Sequence, residues 1–172
     1  TLLADNMRLR RVAFTDSLTQ VASRDRLEQR AALELIRCQQ EQSQLALMVF
    51  DIDHFKKIND EFGHHVGDQA LQQMCRVVQK NLRPTDTLGR FGGDEFVVLL
   101  PQTNSAAAAL IAERVLQELT QVRIADVASL TASFGIASWH TDEDYNSLFR
   151  RADQALYQAK MAGRNRVAIA EF

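Results

Sequence analysis

Two stretches of the sequence put carboxylates where a strand has no structural need of them. In "FDID" the period-two geometry of a strand sets Asp51 and Asp53 on one face at the end of an apolar run, with Ile52 pointing the other way. Taken alone this pair is ambiguous, because Asp53 can cap a following helix and Asp51 can be a solvated edge residue. In "LGRFGGDEFVVLL", residues 88–100, Gly92 and Gly93 read as the turn of a β-hairpin and are followed at once by Asp94 and Glu95. With strand 45–52 central in a sheet and the hairpin beside it, Asp51, Asp94 and Glu95 converge. Three carboxylates at one point repel unless they share a cation, and an all-oxygen donor set points to Mg2+ or Mn2+. Magnesium is held by few protein carboxylates and by substrate phosphates, so the cluster implies a nucleotide.

Cations for the phosphates stand nearby in sequence. Lys56 and Lys57 follow the acidic strand on a short helix, whose free N–H groups also favour anions. Lys160 and Arg164 are four residues apart near the end of the last helix and can face the same way. Each pair alone is equally compatible with ordinary surface charge. In "NDEFGHHVGD", Asn59 and Asp68 flank a turn that aims both into one pocket, where a carboxylate can accept the N1–H and exocyclic amine of guanine. His54, His64, His65 and His140 lack zinc-ligand spacing, and no P-loop or G-x-S-x-G motif occurs.

The elements that must position these groups follow from composition and periodicity. A chain of 172 residues that is 46% apolar suits one domain with a short appendage. A net charge of −2 excludes a basic nucleic-acid surface or a polybasic membrane tract. Cys38 and Cys75 are far apart and lack C-x-x-C spacing, which fits packing residues in a reducing cytoplasm. The run "LALMVF" is too short to span a bilayer. Residues 1–15 suggest a helix with Leu2, Leu9 and Val12 along one side, either packed on its own domain or forming a coiled-coil stalk, and the abrupt helical start suggests a fragment of something longer.

Ser23 then caps a helix to about Gln42, a buried strand ends in "DID", and Asp53 caps a short helix. A longer helix runs from about His65 to Leu82, followed by the hairpin, a helix capped by Asn104 or Ser105, a strand in "SLTASFGIASW", a helix stopped by Gly163, and a last strand. The βααββαβ order argues for an antiparallel or mixed sheet covered by helices, an α+β sandwich of ferredoxin-like type.

Four ordered motifs, "FDIDHFKKINDEFGHHVGD", "RPTDTLGRFGGDEF", "TASFGIA" and "ADQALYQAKMAGRNRV", closely resemble the GGDEF-domain diguanylate cyclases from about Asp16 to Val167. The resemblance implies a nucleotidyl-cyclase or palm-like fold, with residues 1–15 as a signalling stalk and 16–172 as the catalytic domain. It implies condensation of two GTP into cyclic di-GMP with release of pyrophosphate by a homodimer; the cytoplasmic location and the lack of a nucleic-acid partner are expected from the composition and charge. On matching positions, Asp51, the Ile52 carbonyl and Asp94 resemble metal ligands assisted by Glu95, and Asp94 the proton acceptor. Asn59, His64 and Asp68 match the substrate pocket, and Lys56, Lys160 and Arg164 match phosphate contacts. Arg83 and Asp86, in "RPTD", match an inhibitory product site, although the spacing alone reads as a local ion pair.

The entry segment "DSLTQVASR" departs from the family pattern, with Gln20 where glycine is usual and Ser23 where asparagine is usual; Asp16 and Arg24 remain and can still pair across it. The rival reading is a non-catalytic module that binds GTP or cyclic di-GMP. The intact acids favour the enzyme.

Overall fold

The computed structural model describes residues 1–171, with the backbone alone at 10–13. In chain order the elements are α1 (Leu2–Phe14), α2 (Arg24–Glu41), β1 (Leu45–Ile52), α3 (Phe55–Phe62), α4 (His64–Lys80) and β2 (Thr87–Gly92). They continue with β3 (Glu95–Pro101), α5 (Ser105–Leu119), β4 (Ala132–Ser138), α6 (Tyr145–Met161) and β5 (Arg166–Ile169). The strands form one sheet in the order β2-β3-β1-β4-β5. β1 runs antiparallel to both neighbours and β5 parallel to β4, so the sheet is mixed and β1 is its centre. The α+β class and the central place of β1 are as the sequence predicts.

β1 is buried throughout and apolar from Leu45 to Phe50 because both faces of the sheet are covered. Ala46, Met48, Phe50 and Ile52 pack with Ala70, Leu71 and Met74 of α4 and Ala112 of α5. The alternate residues Leu45, Leu47 and Val49 pack with Leu27 and Ala31 of α2 and with Leu148, Ala152 and Leu156 of α6. Phe50 stacks between Phe96 and Phe134, with ring centroids 5.4 and 5.0 Å away, and so locks the three central strands at the end where β1 turns acidic.

Two helix starts follow the expected caps: Ser23 accepts from Arg26 N–H, and Asn104 from Ala107 N–H. Asp53 does not cap α3. His54 holds the cap position with φ 56° and makes no side-chain cap bond, while the Asp53 carboxylate is used elsewhere.

At the entry, Gln20 has φ 63°, the left-handed conformation that explains why glycine suits this position. Asp16 pairs with Arg90 at 3.4 Å and Arg24 with Glu28 at 3.0 Å, so the two do not pair with each other across the segment. Glu28 is one helical turn from Arg24 on the same face, and that local partner takes it. On α1, Leu2, Leu3, Met7 and Leu9 are exposed; the Val12 side chain lies outside the described residues. Among the described residues no helix is long and apolar enough to cross a membrane.

Candidate active site

The sheet register brings the acids together. Asp51, next to last in β1, is the cross-strand partner of Glu95, the first residue of β3. β2 ends at Gly92, so the two-residue turn is Gly93-Asp94, one position later than the glycine pair suggests; Gly93 takes φ 54° and Asp94 stands at the tip. From β2, Arg90 donates to the Gly93 carbonyl at 2.9 and 2.6 Å while also pairing with Asp16, which ties the turn to the entry segment. The Lys160 ammonium, from the last turn of α6, lies against Asp51 Oδ2.

Among the described residues no three His, Cys, Asp or Glu side chains form a group able to hold a metal, so the expected three-acid cluster is not assembled as such. Carboxylates repel, and an ammonium rather than a third acid closes on Asp51. The donors nevertheless suit a hard cation. Asp51 Oδ1 is buried without a hydrogen-bond partner, and the oxygens of Asp51, Asp94, Glu95 and the Ile52 carbonyl belong to one end of the sheet.

The charges leave a mark on protonation. Burial, with Asp94 and Asp53 nearby, pushes Asp51 up to about 6 despite Lys160. Burial, then the charge and hydrogen bond of Asp153 and the charge of Asp51, pushes Glu95 up to about 7. Asp153 went unassigned in the sequence; its signal is the seven-residue step to Lys160, which puts both on one face of α6.

Folding therefore favours the protonated forms of Asp51 and Glu95. Their contribution to stability is full below the ordinary carboxyl pKa and is lost as pH rises through about 6 and about 7. Asp16 and Glu143 act oppositely. Against partial burial, Thr19 and Arg90 hold Asp16 low, and Arg151 and Ser147 hold Glu143 low, so their stabilisation is lost only in more acidic solution. The EDTA-treated chain is thus expected to melt at a higher temperature at pH 5 than at pH 8 in a calorimetric scan. Mg2+ should raise the melting temperature more at pH 8, because cation and proton compete for the same oxygens.

The pocket residues divide into those brought together and those left apart. Asn59, half-buried on α3, has its Oδ1 buried without a partner, 1.8 Å from where a Cβ on Gly67 would stand. Gly67 leaves the space that this side chain fills, and the next residue, Asp68, is exposed. His64 is exposed at the start of α4, and Lys56 lies exposed in a shallow cleft with His54, Lys57, Asp60 and Glu61. Arg164 is half-buried in the left-handed turn after α6.

Arg83 and Asp86 precede β2 and therefore sit at the end of the hairpin away from Glu95. They form an ion pair at 2.9 Å in which Asp86 is buried, and Arg83 also donates to the Pro101 carbonyl and to Thr103 Oγ1.

An acid pair at the centre of a mixed sheet, beside a glycine turn, matches a known pattern across the chain: residues 13–166 fit the family model described as diguanylate cyclase, GGDEF domain. The chain belongs to this family. It is 42% identical over 164 residues to the diguanylate cyclase DgcP of Pseudomonas aeruginosa, covering 94% of this chain and 24% of that protein. It is 38% identical over 174 residues to the probable diguanylate cyclase DgcC of Escherichia coli K12, covering 99% of this chain and 47% of that one. The chain thus spans less than half the length of these two relatives. Among solved structures, the coiled coil and GGDEF domain of DgcB from Caulobacter crescentus, in complex with c-di-GMP, superposes with TM-score 0.94 at 31% identity, covering 98% of this chain and 92% of that one. The GGDEF fold is accordingly the palm-like cyclase fold expected from the motifs.

Proposed function

We propose that this GGDEF domain is an active diguanylate cyclase that joins two GTP into cyclic di-GMP and releases two pyrophosphates. The observation that carries the reading is the Asp51–Glu95 pairing at the centre of the sheet, with a buried Asp51 oxygen that has no partner. Asp51, the Ile52 carbonyl, Asp94 and Glu95 would hold Mg2+ or Mn2+. When bound, the cation supplies charge neutralisation around the α-phosphoryl group and a more acidic 3′-hydroxyl.

The chain's own groups do the rest. Asp94, at the turn tip, accepts the proton of the attacking 3′-hydroxyl. The oxygen of that hydroxyl forms a bond to the α-phosphorus of the other GTP as the bond to pyrophosphate breaks. Lys160, Arg164 and Lys56 take the phosphate charge. Asn59 and Asp68 read the guanine edge, and the partnerless Asn59 oxygen supplies an acceptor for it. His64 forms the pocket wall. Because one domain holds one GTP, two copies must face each other, with α1 as the device that brings them together in the cytoplasm. Pyrophosphate release should therefore rise with the square of chain concentration while dimers are scarce; strict first-order dependence at every concentration would mean that one copy suffices.

Product feedback belongs to the same reading. An arginine beside a carboxylate matches guanine, donating to O6 and N7 while the acid accepts from N1 and N2. The exposed Arg83 is the group that meets product, away from the acid pair, and the buried Asp86 must turn out from its ion pair with Arg83 to join it. Arg83→Ala is expected to keep the initial rate while relieving inhibition by added cyclic di-GMP, read from progress curves. Equal inhibition of both proteins would leave "RPTD" as a structural turn.

A further inference from the structure

Asp53 carries the most heavily bonded carboxylate beside the candidate site, and neither capping nor metal binding accounts for it. It is buried just past the end of β1. Its Oδ1 accepts from Ser133 Oγ at 2.6 Å, and its Oδ2 from Thr131 Oγ1 at 2.7 Å and from the Asn165 backbone N–H at 2.9 Å. Its own N–H donates to the Thr131 carbonyl at 2.9 Å. One side chain thus joins three places: the acidic end of β1, the start of β4 and the turn after α6.

That turn needs holding. Gly163, Arg164 and Asn165 have φ values of 124°, 64° and 48° in succession, and the left-handed region is strained for a residue with a Cβ. Such a conformation persists only where its surroundings over-determine it. Here the Arg164 N–H donates to the Ala159 carbonyl, closing the end of α6, and the Asn165 N–H donates to Asp53. The segment so fixed runs from Lys160, which lies against Asp51, to Arg164.

We propose that Asp53 is a positioning residue: its carboxylate latches the turn after α6 to the metal-ligand end of β1 and so sets Lys160 and Arg164 for the triphosphate of GTP. The inference rests on the cyclase reading above. It assigns Asp53 no contact with nucleotide or cation. The latch acts on the phosphate end of the nucleotide and leaves the guanine end, at Asn59 and Asp68, alone.

The test uses the full chain and equilibrium binding of GTP and of guanosine. Asp53→Ala removes a hydrogen bond to a charged acceptor and frees a strained turn, so GTP affinity should fall about 10- to 100-fold. Guanosine affinity should stay within about twofold. Asp53→Asn, whose amide oxygen can still accept from Asn165 N–H, should recover most of the loss. In an Arg164→Ala background, Asp53→Ala should cost less than in the wild type, because one of the two groups it positions is gone. Equal losses for GTP and guanosine, or full additivity with Arg164→Ala, would overturn the latch. If the wild type bound no GTP, the cyclase reading itself would fail; a wild type that binds GTP together with an unaffected Asp53→Ala would sink the latch alone. Where Asp53→Ala does not fold, hydrogen exchange on the unmodified chain decides. The Asn165 amide, in an exposed residue of a turn, should exchange slowly, and rapid exchange contradicts the latch.

Discussion

Asp51→Asn is expected to lower cyclic di-GMP formation by roughly 10³-fold or more, the scale of losing a preorganised electrostatic group at the reacting centre. Asp51 is buried, faces Glu95 across the sheet, and carries the orphaned oxygen that a cation would satisfy. Asparagine keeps the shape and removes the charge. The same change should not weaken the fold. Burial already disfavours the ionised form of Asp51, which is pushed up to about 6, so above that pH the metal-free variant should melt no lower than the wild type. Turnover and melting are to be measured on the same preparation. A folded variant retaining turnover within tenfold of wild type would remove Asp51 from the metal site.

Gly135→Ala is expected to be the most damaging single methyl in the domain. Gly135 lies in β4 under α6, and a Cβ there would stand 2.1 Å from the Ala152 carbonyl oxygen and 2.2 Å from the Leu156 nitrogen. Both are backbone atoms of a helix, which cannot swing aside as a side chain does. Overpacking of this kind costs about 3 kcal/mol, or roughly 6–12 °C in melting temperature for a domain of this size. Displacement of α6 also moves Lys160 away from Asp51 and Asp153 away from Glu95, so turnover should fall further than the melting temperature explains. Unchanged melting would mean that α6 and β4 do not pack as closely as described.

Periodicity and local chemistry made much of this legible in the sequence. The buried run before Asp51 and the caps Ser23 and Asn104 are all encoded within a few residues, and each forms as expected. What sequence reasoning missed depends on partners far along the chain. Asp53 reads as a cap because capping is local, whereas Thr131, Ser133 and Asn165 lie 78, 80 and 112 residues away. Arg90 gives no signal by spacing, since Asp16 is 74 residues distant. Arg24 shows the opposite case: a nearer acid, Glu28 in its own helix, takes it ahead of Asp16. The glycine turn was placed one residue early because two adjacent glycines leave the tip open, and the pairing of Gly92 with Glu95 fixes it at Gly93-Asp94.

The decisive measurement is the identity of the nucleotide made from GTP. The purified chain, at high concentration with GTP and Mg2+, is incubated and its products are separated by chromatography and weighed by mass spectrometry. Cyclic di-GMP should appear with two pyrophosphates per molecule, from GTP and not from ATP, and should vanish with Asp94→Asn. GTP recovered unchanged by a folded chain that nevertheless binds it would contradict the cyclase and leave a GTP-binding regulatory module in its place.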